Sequence, residues 1–472
     1  MSKKSSAAAQ KAKATLDAAK TAREAVSVSR KKSSKKTSAA SAVSAAPAAE
    51  LAFDTLCLQG GYSPKFGEPR VLPIIQSTTY KYDDIDHVNR IMTLQAFGHK
   101  YSRTSNPTVA GFEARVNLLE GGAGAIATAS GQAATLLATT AIVREGDHIL
   151  AASQLYGGTY TLFHSTLKRF GVRASFFDPN APAREIEKLF RPETRLVFGE
   201  TIGNPGLAIL DFGKLSALAK AHGVPLIVDN TLATPFLCQP LKHGANIVIN
   251  SATKYMDGHA TSVGGIVVDG GNFDWANGLF PEFTSPDPTY NGVIYAEKFP
   301  ASPFLYKARA QSLRDFGGCL SPMNAFLINL GLETLHLRMP RHGDNALALA
   351  KFLSAHPKVT WVNYPGLETA SKKLVARYFR KDNAGGILTF GLKGGLDAIR
   401  RFVKALKVAA LVVHVGDART SVLHPASSTH AQLTEQEQRA AGILPDMVRV
   451  SVGIEDPADL IADFEQAIAA AV

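Results

Sequence analysis

The sequence predicts an α/β protein, with a large, mostly parallel sheet domain followed by a smaller C-terminal α+β domain. Two observations carry this prediction. Between residues 148 and 271, six short apolar runs alternate with helix-like or turn-rich stretches, the pattern of a parallel sheet covered on both faces. After about residue 305 the pattern changes to long helical segments followed by isolated strand-like pieces. A third observation sets the first 50 residues apart from both regions. They are almost all Ala, Ser, Lys and Arg.

In chain order, that tail comes first. It holds eleven Lys and Arg against three acids, so it carries eight of the chain's eleven net positive charges. It contains no Phe, Tyr, Trp, Ile, Cys or Gly and only one Leu, Leu16. Such a segment cannot bury enough apolar area to offset its ordering entropy, which predicts disorder or transient helix over residues 1–50. Without a continuous apolar stretch it is not a secretory signal. Its charge suits either a solvated, solubilising extension or a surface for nucleic acid and other polyanions. The absence of aromatic residues that could stack on bases favours the first.

The uncharged run 121–143 (GGAGAIATASGQAATLLATTAIV) reads as a buried helix entered through a Gly-rich turn, not as a membrane span. Strands are predicted at 148–153, 173–179, 195–201, 225–231, 245–253 and 264–271, with a helix at 215–223. Residues 280–292 (FPEFTSPDPTYNG) read as loop, 324–356 as helix, and 386–392 and 447–453 as strands of the second domain. The whole chain of 472 residues, 46% hydrophobic and 19% charged, is ample for a large core. Its three cysteines, Cys57, Cys238 and Cys319, show no CxxC spacing. That argues against a disulfide framework or a zinc ribbon and fits a reducing compartment. With no address signal legible, the cytoplasm is the expected location.

Three pieces bear on chemistry. Asp229 ends the apolar run PLIVDN, on the side where open α/β sheets bind ligands; the competing reading is a turn or helix-capping carboxylate. Lys254 in NSATKY follows the next apolar run, with Ser251 and Thr253 beside it. It is either an ordinary surface lysine or a buried amine of lowered pKa, suited to Schiff-base or general-base work. ASGQAA (129–134) places Gly131 and Gln132 at a helix start, where free N–H groups either hold an anion or serve plain capping. Together, a phosphate anchor, an acid for a pyridine nitrogen and a Schiff-base lysine are what pyridoxal phosphate requires. No dinucleotide motif, phosphate-binding P-loop or metal-ligand cluster competes.

From about Thr55 to the C-terminus, the chain resembles the Cys/Met-metabolism branch of pyridoxal-phosphate enzymes. The passages GETIGNPGLAILD (199–211), VPLIVDNTLATPFLCQPLKHGA (224–245), FPEFTSPDPTYNG and HPASSTH (424–430) carry the likeness. Within the branch they are most similar to the O-acetylhomoserine sulfhydrylases. The resemblance implies a fold-type I PLP-dependent transferase with a large domain at 106–305 and a small domain at 306–472. It also implies an N-terminal arm at 51–105 that reaches a neighbouring subunit. It assigns Lys254 as the Schiff-base lysine and proton shuttle, and Asp229 as partner of the ring nitrogen. Gly131, Gln132, Ser251 and Thr253 would hold the phosphate. Tyr156 would stack on the ring and assist the leaving group as an acid/base, and Asn204 would contact the 3-hydroxyl side. Tyr101 and Arg103 would reach the phosphate of the adjacent subunit in a dimer-built site, within a tetramer. Arg449 would clamp the substrate carboxylate. Where the sulfhydrylases usually have Asn, two residues before the GD of VVHVGDART, this chain has His414, either a carboxylate contact or a packed polar residue.

The implied reaction replaces the γ-acyloxy group of O-acetylhomoserine with sulfide or a small thiol, giving homocysteine or methionine and acetate, a step of amino-acid biosynthesis. A methionine γ-lyase or a cystathionine γ-synthase would share the same residues and differ in the nucleophile or in elimination. A reading from another class, a basic-tailed scaffold or nucleic-acid-binding protein with a relict enzyme body, is disfavoured by the intact Lys254, Asp229 and Arg449.

Overall fold

The computed structural model describes residues 51–367 and 370–472; the disorder expected of residues 1–50 lies outside them. A seven-stranded sheet is built from β1 (Gly124–Thr128), β2 (His148–Ala152), β3 (Arg173–Phe177), β4 (Thr194–Glu200), β5 (Leu226–Asp229), β6 (Ile247–Asn250) and β7 (Gly265–Asp269). Their order is β1-β7-β6-β5-β4-β2-β3. The run from β3 to β6 is parallel, whereas β7 lies antiparallel between β6 and β1. The six expected strands all form, and β7 departs from the parallel pattern because a short turn-rich link, not a crossover helix, joins it to β6.

β1 corrects the reading of 121–143 as one helix. Residues 124–128 are a strand, and the helix α2 (Gly131–Thr140) begins only after them. Ala-rich GAIAT has no strong β propensity of its own; its pairing with β7 in register, Gly124 opposite Asp269 through Thr128 opposite Gly265, decides the matter.

The helices carry readable ends. α1 (Pro107–Glu120) starts with Asn106 accepting from Thr108 and Val109 N–H groups and a proline in its first turn, and stops at Gly121 in the left-handed region. α2 is capped by Ser130, whose hydroxyl accepts from Ala133 N–H. α3 (Phe212–Ala221) is capped by Asp211. The buried strand centres Ile149, Val197, Ile227, Val248 and Val267 lie wholly out of solvent, each contributing about 1.5–3 kcal/mol by burial.

The helical segments expected over 324–356 are two helices, α4 (Pro322–Glu333) and α5 (Leu335–Ala355), parted at Thr334, with Pro340 inside α5. A second sheet, of order β10-β11-β12-β9-β8, combines β8 (Val359–Asn363), β9 (Ile387–Leu392), β10 (Ala410–Leu411), β11 (Ser421–Leu423) and β12 (Met447–Ser451). Helices α6 (Gly395–Ala405) and α7 (Pro457–Ala471) pack together beside it. The loop expected at 280–292 contains two short helical turns, Pro281–Thr284 and Pro288–Tyr290. No helix among the described residues is long and apolar enough to cross a membrane.

Candidate active site

The carboxyl ends of β4, β5 and β6 converge with the start of α2. Asp229 closes β5 and stands in register with Glu200 at the end of β4. Thr231 donates both its N–H and its hydroxyl to Asp229 Oδ1. The same Thr231 hydroxyl accepts from Ser251 N–H at 2.7 Å, tying the acid to the turn after β6. Burial raises the pKa of Asp229, against the Thr231 bonds. Burial, then the Asp229 charge, holds Glu200 well above the usual carboxylate range. A buried acid beside a half-buried one favours a proton or a cation between or beside them.

Lys254 lies in the turn after β6. Desolvation, reinforced by the Arg449 charge, lowers its amine to about 8. Against 10.5, that raises the neutral fraction near pH 7 by more than two orders of magnitude. Its Nζ stands 3.3 Å from His414 Nδ1. Burial, then the Lys254 charge, pushes His414 down to about 4, so the imidazole is neutral near pH 7 and its Nδ1 accepts. The other ring nitrogen of His414 is buried without a partner. This loop reaches the lysine because Gly416, at φ +79°, lets the backbone come against it. A Cβ there would stand 2.7 Å from Tyr255 N.

Gly131 packs on Ser251 so closely that a Cβ would lie 2.5 Å from the serine Cβ. Ser130 caps the N–H of Ala133, which leaves the first N–H groups of α2, those of Gly131 and Gln132, directed off the helix start. The Gln132 amide itself donates to Gly158 O at 3.3 Å. Thr253 exchanges two hydrogen bonds with Gly264, its hydroxyl donating to the carbonyl and accepting from the N–H, both at 3.0 Å.

Arg449 is the central residue of β12 and is buried. Its Nη1 donates to Asn204 Oδ1 at 3.1 Å, and among the described residues no carboxylate lies within ion-pair reach. Burial lowers its pKa to about 10, partly offset by Tyr255 and Tyr156. A buried guanidinium without a carboxylate is costly unless a ligand supplies one. Tyr156 follows β2; its backbone N–H is held by Glu200 and its ring is about half exposed.

Of the expected residues, the structure therefore brings together Lys254, Asp229, His414, Arg449, Asn204, Ser251, Gly131, Gln132 and Tyr156. Tyr101 and Arg103 make none of these contacts. Arg103 stacks over the Tyr101 ring at 5.3 Å and donates to Arg314 O. Glu200 was not anticipated. Its signal was the acid that closes RLVFGE on the ligand side of its strand, as Asp229 closes PLIVD.

The chemistry fits pyridoxal phosphate. A cradle that a single Cβ would fill sits at a helix start, a half-buried, desolvated acid needs a positive partner, and an amine is primed for covalent attachment.

The model of Cys/Met metabolism PLP-dependent enzymes matches residues 54–469. The chain is 46% identical over 425 residues to an O-acetyl-L-homoserine sulfhydrylase of Leptospira meyeri, covering 88% of this chain and 96% of the relative. It is 47% identical over 423 residues to a homocysteine synthase of Schizosaccharomyces pombe, covering 88% and 98%. Among solved structures it is similar to a Campylobacter jejuni chain described as an O-acetylhomoserine (thiol)-lyase, which carries a pyridoxyl-lysine phosphate. That match has a TM-score of 0.86 and 38% identity, and covers 89% of this chain and 100% of that one. A cystathionine gamma-lyase of Lactobacillus plantarum matches at a TM-score of 0.76 and 30% identity, covering 89% and 99%.

Proposed function

The chain belongs to the Cys/Met metabolism PLP-dependent enzymes of fold type I, and from that premise we propose that it replaces the acetyloxy group of O-acetyl-L-homoserine with sulfide or a small thiol. The products are L-homocysteine, or methionine from methanethiol, and acetate. The observation that carries this reading is identity of 46% and 47%, across nearly nine tenths of the chain, to two relatives named for this chemistry. Beside it stands a buried Arg449 with no carboxylate partner among the described residues, suited to an amino-acid substrate.

Pyridoxal phosphate, held by Lys254, Asp229, Ser251 and the α2 start, supplies an electron sink for charge left at Cα. Arg449 forks onto the α-carboxylate and fixes the amino acid against Lys254. Lys254, with an amine lowered to about 8, would take the Cα proton as base and return protons later as acid. His414, neutral and 3.3 Å away, accepts from the Lys254 ammonium and keeps the side chain aimed into the site. Tyr156 would stack on the cofactor ring and assist at the leaving group. Tyr101 and Arg103 complete the phosphate site of an adjacent subunit, so the working unit is at least a dimer, with a tetramer as its expected full assembly. We place the protein in the cytoplasm.

The test incubates purified protein and pyridoxal phosphate with O-acetylhomoserine, with and without sulfide, beside Lys254→Ala. Sulfide-dependent homocysteine from the wild type and none from the variant is the expected result. Oxobutyrate and ammonia independent of sulfide would move the protein to the lyases.

A further inference from the structure

Glu200 has no role in the reaction as set out above, yet it is among the best-connected side chains of the site. It closes β4 with 6% of its surface exposed, beside Asp229 in the next strand. Its two oxygens serve two different loops. Oε1 accepts from Tyr156 N–H at 2.6 Å, in the segment after β2. Oε2 accepts from Asn204 N–H at 3.1 Å, in the segment after β4 itself. Asn204 Oδ1 in turn accepts from Arg449 Nη1 at 3.1 Å, on β12 of the second sheet. No Lys, Arg or His among the described residues pairs with Glu200.

Burying a second carboxylate next to Asp229 without a cation costs free energy, and only its bonds offset that cost. Filling the strand end would need no charge. Joining two backbone donors from separate loops needs two acceptor oxygens in one plane, which a carboxylate has and an amide lacks.

We propose that Glu200 is a positioning residue that holds the Tyr156 loop and the Asn204–Arg449 clamp in one fixed relation to Asp229. The wall that covers the cofactor ring and the arm that receives the substrate carboxylate are then set by a single side chain. This rests on the roles proposed above for Tyr156 and Arg449. Glutamine at this position keeps the shape, satisfies one loop, and turns an N–H donor toward the other.

The experiment compares wild-type holoenzyme with Glu200→Gln and Glu200→Asp. Two quantities are read besides activity: the visible circular dichroism of the bound cofactor, per cofactor bound, and half-saturation in a spectral titration with L-homoserine. That probe carries the α-amino and α-carboxylate groups and no acyl leaving group, so its binding does not depend on the sulfhydrylase reading. For Glu200→Gln the expected result is a weakened dichroic band and half-saturation raised about tenfold, with Glu200→Asp, which keeps two acceptors, closer to wild type. Folded, cofactor-loaded Glu200→Gln with both quantities at wild-type values would overturn the proposal. So would failure of both variants to accumulate as folded holoenzyme, since Glu200 would then be a scaffold residue alone. A wild type that binds homoserine but makes no homocysteine would overturn the function and leave this proposal standing.

Discussion

At the scale of single residues, burial does most of the chemical tuning. Lys254 is half-buried and Arg449 buried, and each loses basicity mainly to desolvation. In the role proposed for Lys254 the loss is useful, because a base must shed its proton near working pH. For Arg449 the charge is kept, and what it lacks is a carboxylate. Arg449→Lys retains a charge but not the fork. It should raise KM for O-acetylhomoserine by about tenfold or more with a smaller change in kcat, checked by steady-state kinetics. Equal falls in kcat and kcat/KM at unchanged KM would place Arg449 outside substrate binding. His414 was read from sequence as a carboxylate contact or a packed polar group. The structure puts it on the lysine, because the Gly416 turn folds its loop onto the Lys254 backbone.

At the scale of elements, the junction of α1 with the ends of β5 and β6 contains a polar knot. Glu120, the last residue of α1, is fully buried and accepts from Asn230 Nδ2 at 3.1 Å and Asn250 Nδ2 at 2.8 Å. Its Oε2 and Asn250 Oδ1 are both buried without partners. One proton on Glu120 would satisfy both, as an acid–amide pair. Desolvation raises its pKa to about 7. The folded pKa is above the unfolded 4.5, so the folded state binds the extra proton. This contribution to stability is fully present below about pH 4.5 and is lost as pH rises to 7, a difference of about 3 kcal/mol. Glu120→Gln carries the same donor and acceptor without titrating. Its unfolding free energy, followed in denaturant from pH 5 to 8, should lose that slope; an unchanged slope would assign the titration elsewhere. The strands around this knot were legible from their apolar runs. β1 was not, since GAIAT resembles the helix that follows it and takes strand form only through β7.

At the scale of the whole molecule, the site draws on both sheets. Asp229, Glu200 and Lys254 come from the seven-stranded sheet and the turns after its strands, while Arg449 and His414 come from β12 and the loop before β11. Tyr101 and Arg103 make no hydrogen bond to this group among the described residues and belong to a segment with exposed Phe66, Ile85 and Phe97. If they serve a neighbouring subunit, inactive Lys254→Ala and Arg103→Ala chains should complement each other. Co-assembled, they should recover about a quarter of wild-type activity, since about half the dimers are mixed and each mixed dimer holds one intact site. Activity no higher than the two variants alone would place both residues in the site of their own chain.

The sequence alone located six strands of the large sheet, the acid, the lysine and the helix start at Gly131. Each rests on local physics: apolar runs of strand length, a polar residue just past a buried strand, and small residues at a helix N-terminus. Only the tertiary structure decided that β7 runs backwards, that β1 exists, that His414 meets Lys254 and that Glu200 joins two loops. Those facts depend on which distant segments lie side by side. A carboxylate, an imidazole and an Ala-rich pentapeptide look the same in sequence whatever stands opposite them.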